Sequence, residues 1–458
     1  MTGFSQEIID KIIDYLAFDR RALYQSSLVC RAFYHRCKTH IHRIVDIGTR
    51  RSTVEATKQR TEGVEIIKRT VQKSPSLACY LHHLRLSFVW GIDEWPYKDA
   101  GFLEFMELAK KCGVSGRTFN EVTIADPNTE VVDDEPEGYL DAFQATFWRP
   151  YIASSITKLS FHHAIEVPVE IILECVHLVD LSSYFATLLP PSNSKGEGAS
   201  VGRNTGKKIA LKRLSLGTHS TKTFYEILFG SEGEEGALID ITKLETYGCA
   251  WHSFTDSELD DQDAAERTMR IAASSLRKLE FERVGRIPCP GVINLAALPN
   301  VQALDFDYDW QLCWTTAFEN MCDIMSTAQR GHKLSRIDIH RIIHTDELID
   351  RDCSVRSCRE KWLALDKALV RLASAKSNEV EELVLSYEII VCTKTRLDDA
   401  KFRNEMKIRS IVKTMEDDFL DHAMPLSKQS PSIRVQVITS IEQYDAYAPH
   451  HRDVMHIE

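Results

Sequence analysis

Twelve cysteines are scattered through 458 residues without a single C-x-x-C pair, which excludes a dense disulfide framework. They read instead as reduced thiols of a cytoplasmic or nuclear protein. A membrane-spanning run is missing as well, since the longest apolar stretch, residues 164–181, is interrupted by Glu166, Pro168, Glu170 and Glu174. Residues 1–11 alternate charged and apolar side chains where a signal peptide would be uniformly apolar, so secretion is not expected. Positive charge is also in short supply. Lys and Arg total 56 against 67 Asp and Glu, a formal balance of −11. Broad nucleic-acid binding, which draws on clustered basic side chains, is therefore not expected.

Catalytic signatures are scarce too: the sequence holds no H-E-x-x-H or G-x-G-x-x-G, and its G-x-S-x-G string, Gly198 to Gly202, falls inside a Gly- and Ser-rich stretch. Gly202, Gly206, Lys207 and Lys208 imitate a phosphate loop, but Lys208 stands where Ser or Thr would hold magnesium. Asp305, Asp307 and Asp309 alternate as in a calcium loop, yet Trp310 takes the place of the turn glycine and Thr316 that of the closing glutamate. His340 and His344 with Cys353 and Cys358 fit no known zinc knuckle. No enzyme activity, metal or cofactor is expected, although a site assembled from distant residues would leave no trace of this kind.

What is present begins at the amino end. Phe4, Ile8, Ile9, Ile12, Ile13 and Leu16 recur at helical spacing, with Gln6, Glu7, Asp10, Lys11 and Asp14 on the other side of the wheel. Ser5 is the expected N-cap, and Phe4 and Ile9 the expected hydrophobic staple. A second apolar set, Leu23, Leu28, Val29, Cys30, Phe33, Tyr34, Cys37, Ile41 and Ile44, suits two more short helices. Three helices in about forty residues bury too little surface to stand alone and should lean on a partner or on the following domain. Locally basic residues such as Arg20, Arg21, Arg31 and Arg36 would suit a helix-turn-helix, but Phe33 and Tyr34 sit beside the charges of the third helix, where a DNA-reading helix needs polar side chains.

The strings F-S-Q-E-I-I-D-K-I-I-D-Y-L, D-R-R-A-L-Y-Q-S-S-L-V-C-R-A-F-Y and H-I-H-R-I-V-D-I together resemble an F-box, in the style common among fungal F-box proteins. Leu28 to Phe33, L-V-C-R-A-F, is the most telling piece. Many F-boxes have Leu-Pro where this chain has Phe4 and Ser5, and a capping serine can start the same helix. The resemblance implies docking to a Skp-type adaptor and, through it, to a cullin scaffold. Carried onto this chain, it makes Phe4, Ile8, Ile12, Leu16, Leu23, Leu28, Val29 and Phe33 the adaptor-contact candidates.

Beyond Pro75 a pattern L-x-x-L-x-L returns, as at Leu81, Leu84 and Leu86, Leu211, Leu214 and Leu216, and Leu276, Leu279 and Phe281. Ile241 with Leu244, and Val380 with Leu383 and Leu385, are read as further copies. It is the strand signature of leucine-rich repeats, although its intervals of 22 to 46 residues are longer and less even than the class norm. Helical periodicity fills the gaps, as at Phe102, Phe105, Met106 and Ala109. The expected fold is α/β: a small N-terminal three-helix F-box followed by an irregular leucine-rich-repeat-like α/β solenoid. Its expected divisions are an F-box at 1–47, a helical linker at 48–76, the repeat domain at 77–445 and a tail at 446–458. Residues 190–208, rich in Gly and Ser, and the acidic runs near 133–137 and 232–235 read as loops.

Strand alternation places Glu245, Tyr247, Glu280, Glu282, Asp305, Asp307, Asp309, Asp338, His340 and Glu388 on the face opposite the leucines. Such a stripe is mostly acidic and would attract a substrate protein with a basic segment. Trp251, Trp310 and Trp314 could anchor it. The function that follows is substrate recognition for a Skp–cullin–F-box type ubiquitin ligase, with no nucleic acid or membrane as partner. An F-box scaffold without a ligase role and an enzyme with an unrecognised site are the alternatives.

Overall fold

In a computed structural model the chain divides into two compact units, Met1–Asp240 and Ile241–Glu458. The structure describes all residues except 1–4, 17–19, 49–53, 114–118, 127–137, 163–165, 185, 191–207, 218–219, 230–237, 251–256, 283–292, 310–313, 345–358, 394–412, 414–418, 444–453 and 458. Phe4, Trp251, Trp310, the phosphate-loop imitation at 202–207 and both acidic runs lie outside the described residues, as do most of 190–208 and the cysteines at 353 and 358.

The first unit opens with three helices, α1 (Gln6–Tyr15), α2 (Arg20–Ser27) and α3 (Arg31–Ile41). Two residues later begins a sheet of six parallel strands paired in chain order: β1 (Ile44–Gly48), β2 (His83–Ser87), β3 (Glu121–Ala125), β4 (Lys158–His162), β5 (Asp180–Tyr184) and β6 (Arg213–Leu216). Parallel neighbours need a crossover. Helix α4 (Val54–Lys73) makes the first, and α5 (Ala100–Cys112), capped by the Asp99 carboxylate accepting the Phe102 N–H at 3.1 Å, contributes to the second.

The leucine pattern follows from the register. Val45, Leu84, Val122, Leu159, Leu181 and Leu214 lie opposite one another, and two residues on so do Ile47, Leu86, Ile124, Phe161, Ser183 and Leu216. All twelve are buried, as are Leu81, Phe119, Ile156, Leu178 and Leu211, the first apolar residue of each repeat. Ser183 is tolerated in this row because its hydroxyl meets that of Ser220 at 3.2 Å.

In the second unit β7 (Thr246–Ala250), β8 (Lys278–Glu282), β9 (Ala303–Asp309), β10 (Arg336–His344), β11 (Leu383–Thr393) and β12 (Ile433–Gln443) again run parallel in chain order. Helices α6 (Ser257–Ala272), α7 (Trp314–Ser326) and α8 (Arg359–Ala375) lie between successive strands in the chain. Phe318, Trp362, Tyr387 and Phe419 form one aromatic core, with ring centroids 4.2 to 5.3 Å apart. At its edge the fully buried carboxylate of Asp366 accepts the N–H groups of Leu426 (2.7 Å) and Ser427 (2.8 Å) at the start of the short helix α9 (Pro425–Gln429). Those donors have no partner within their own helix.

Three observations bear on the expected divisions. Strand β1, inside the expected F-box division, pairs with β2, and helix α4 spans most of the expected linker. The body expected at 77–445 spans the boundary between the two units. Within the expected tail, β13 (Val454–Ile457) pairs antiparallel with β12. The alternating aspartates at 305–309 form part of a strand rather than a calcium loop.

Candidate functional site

The three-helix lobe closes a small core of its own. Ile13, Leu23, Cys37 and Ile41 are buried within it, with Leu16 and Phe33 packed against them. Ionic contacts reinforce the crossing of α1 and α3. Asp14 accepts two bonds from the Arg36 guanidinium, at 2.5 and 2.6 Å, and a third contact from His40 Nε2 at 2.8 Å. The Arg36 hydrogen bond is the largest influence on the Asp14 carboxyl; with help from His40 it outweighs burial and holds the group below the usual carboxylate range. The lobe is seated on the unit through His35 Nδ1, 2.8 Å from the Tyr80 hydroxyl.

That closed core leaves apolar side chains outside. Ile8 is 46% exposed, Ile12 42%, Tyr15 66% and Tyr24 52%, and at the turn between α2 and α3 Leu28 and Val29 reach 85% and 68%. Ile8, Ile12 and Tyr15 follow the i, i+4, i+7 spacing of one helix face. Of the adaptor candidates, then, Ile8, Ile12, Leu28 and Val29 face solvent, Leu16 and Phe33 are shared with the core, and Phe4 is not described. Leu23 is a correction: it is fully enclosed, because its side chain fills the space between the helices. Ser5 occupies the N-cap position, but its side chain makes no capping bond; its carbonyl instead accepts from the N–H groups of Ile8 and Ile9.

On the second unit's polar sheet face the acidic stripe has company. Lys278 Nζ donates to both Glu280 Oε1 and Asp305 Oδ2, each at 2.8 Å. His340 bridges Asp305 (3.0 Å) and Glu388 (2.6 Å), and Arg336 Nε holds Asp338 at 2.7 Å. The carboxylate side chains of Glu280, Asp338 and Glu388 are only 8 to 14% exposed. Three cations on the same face, Lys278, Arg336 and His340, thus pair with four of the stripe's acids, so Glu280, Asp305, Asp338 and Glu388 already have cationic partners.

Burial pulls the pKa of His340 down, but hydrogen bonds and charge from Asp305 and Glu388 outweigh it and raise it to about 10. Burial likewise works against ionising Asp305, and His340 and Lys278 reverse that, lowering it to about 2. An imidazolium pinned this firmly serves as a clasp between strands and is a poor general base at neutral pH.

Tyr247 is a second correction. It lies opposite Leu279, in the row continued by Leu304, Ile337 and Leu385, and is fully buried. The repeat there starts at Leu244 and runs Leu244, Tyr247, Cys249, three residues later than Ile241 suggests. Glu245 precedes the strand, where its carbonyl accepts the N–H groups of Arg277 and Lys278. The last copy is also displaced, since Leu385 and Tyr387, not Leu383 and Leu385, lie opposite Ile337 and Ile339. Asp307 is half-buried on the polar face. Glu282 and Asp309 are placed by their strands alone, and Trp314 by its helix alone.

The first unit's polar face differs. Thr123, Ser160, Ser182 and Ser215 stand in one row across four strands. Ser160 and Ser182 share a hydrogen bond of 2.6 Å, Tyr184 and Ser215 one of 3.0 Å, and His83 Nε2 lies 2.9 Å from the Thr123 hydroxyl. Burial lowers the pKa of His83 to about 4 despite Glu121 nearby, so it is neutral at pH 7. Among the described residues no cluster of His, Cys, Asp and Glu is arranged to hold a metal ion, and no helix is long and apolar enough to cross a membrane.

No protein-family model and no curated protein matches the chain. One similar solved structure is described as "Crystal structure of TLR13-ssRNA13 complex", at 12% sequence identity and a TM-score of 0.26. The match covers 61% of the present chain and 35% of that one, so this chain spans about a third of its length. A likeness at that level carries no argument about fold or function.

Proposed function

We propose that the chain is a substrate-recognition subunit of a Skp–cullin–F-box type ubiquitin ligase, docking the adaptor through the three-helix lobe and a protein substrate through the strand–helix body. The observation that supports this most is a lobe whose core is complete while Ile8, Ile12, Leu28 and Val29 remain exposed. A loop tip carrying Leu and Val at 85% and 68% exposure does nothing for the lobe's own stability, and burying each against a partner would contribute about 1.5–3 kcal/mol. The chain's own contribution to catalysis would be proximity, with covalent chemistry left to other subunits. The acidic stripe is not carried forward as the substrate site.

The test is binding of purified adaptor to the full chain and to a Leu28→Asp/Val29→Asp double variant. Two lost contacts predict an affinity at least about a hundredfold weaker, with the fold intact because both side chains are already in water. Equal binding by both proteins would remove the reading. Point variants are preferable to deleting residues 1–45, which would cut into β1. If the adaptor binds and a captured protein is not turned over, the chain is a scaffold and not a ligase receptor.

A further inference from the structure

Among the described cysteines, Cys79 and Cys112 stand out by lying against one another. Cys79 is exposed near the end of the short 3-10 turn Pro75–Tyr80, and Cys112 is half-buried at the last position of α5. Thirty-three positions apart in sequence, they touch in space: Cys79 Sγ lies 3.8 Å from the Cys112 carbonyl oxygen. Ordinary bond lengths then place that sulfur no more than roughly 6 Å from the Cys112 Cα. A cysteine sulfur lies about 2.8 Å from its own Cα, so the two Cα atoms are no more than about 9 Å apart. Disulfides join Cα atoms about 4.4–6.8 Å apart, so rotation of two solvent-accessible side chains with a main-chain shift of at most about 2 Å would bring the sulfurs together. Cys30, although exposed, is the N-cap residue of α3, and Cys37, Cys175 and Cys249 are buried.

We propose that Cys79 and Cys112 form a dithiol pair that closes into an intrachain disulfide by exchange with a small-molecule disulfide. The Cys79 thiolate attacks one sulfur of the small disulfide and expels a first thiolate, leaving a mixed disulfide. The Cys112 thiolate then attacks the Cys79 sulfur and expels the second. Two protein thiols and one disulfide become one protein disulfide and two small thiols, which carry off the two protons. The bond would tie the turn that bears Tyr80, the residue beneath His35, to the end of α5.

A role for Cys79 limited to donating a weak S–H bond to the α5 carbonyl accounts for the contact without any redox chemistry, and the experiment separates the two. The full-length protein is equilibrated in oxidised and reduced glutathione at a series of ratios, alkylated, and mapped by peptide mass spectrometry. The expected result is a peptide linking Cys79 to Cys112, formed at ratios where Cys175 and Cys249 stay reduced and lost in both Cys79→Ser and Cys112→Ser. Cys79→Ser keeps a donor for the carbonyl, so its fold should be unchanged by circular dichroism. Separate glutathione adducts on the two cysteines, with no linked peptide at any ratio, would overturn the proposal.

Discussion

The two units build nearly the same ladder of buried apolar rows and differ in how far their polar faces depend on charge. In the first, one ion pair, Arg85 with Asp46, opens a row that continues as hydroxyls from Thr123 to Ser215, beside a histidine, His83, that burial keeps uncharged. In the second, the corresponding face is a chain of alternating charge, Glu280, Lys278, Asp305, His340 and Glu388, running across β8 to β11. Strand length goes with the difference: β10 to β12 have 9 to 11 residues where β1 to β6 have 4 or 5. Pairs within a strand form at either length, Lys278 with Glu280 in the five-residue β8 and Arg336 with Asp338 in the nine-residue β10. The lesson is that a face built largely of hydroxyls depends on few counter-ions, whereas in a charge chain each member is the counter-ion of the next.

His340→Gln should therefore break the comparison most visibly. It would leave Asp305 and Glu388 without the cation between them, and removing one partner of a buried ionic group costs about 4 kcal/mol. Amide hydrogen exchange along β9 to β11 should accelerate correspondingly, with β2 to β4 unaffected; equal loss in both units would mean that their stabilities are not separate. Asp366→Ala comes next. Two buried N–H groups at the start of α9 would lose their acceptor, at a cost of about 3 kcal/mol, again read in the second unit through earlier urea unfolding of its Trp362 environment.

Much of the ladder is legible because its alphabet is narrow. Where the buried positions hold Leu, Ile, Val or Phe, as at Leu276, Leu279 and Phe281, the pattern names both strand and facing side. It fails where the row uses other residues. Tyr247 and Cys249 hid a repeat behind a false start at Ile241, and Ser183 sits in the core only because Ser220 meets it. The charge chain was half visible: Lys278 shares parity with Glu280, and Arg336 with Asp338 and His340, so the cations stood beside the acids in the sequence all along. Which cation meets which acid depends on register between strands, as with Lys278 reaching Asp305, and no spacing within one strand encodes that. Leu23 and Leu28 show the same limit in the lobe. Both are leucines of one apolar cluster, and the fold puts one at 0% exposure and the other at 85%.

The finest test is a titration, because the two histidines respond to acid in opposite senses. The His83 pKa falls from 6.5 to about 4 on folding, so the unfolded chain takes up a proton first. Its contribution is present above pH 6.5 and is lost as pH falls toward 4, about 3 kcal/mol in all. Over the same interval the second unit's clasp holds. His340 is raised to about 10, so its stabilisation is complete below pH 6.5 and is lost only as pH rises through 10. Asp305, lowered to about 2, keeps its contribution until pH falls below 3.8 toward that value. Hydrogen exchange corrected for intrinsic rates between pH 6.5 and 4 should therefore show protection falling along β2 and β3 while β9 and β10 stay level. His83→Asn should flatten the first unit's response, and a slope that survives this substitution would mean that another group drives it.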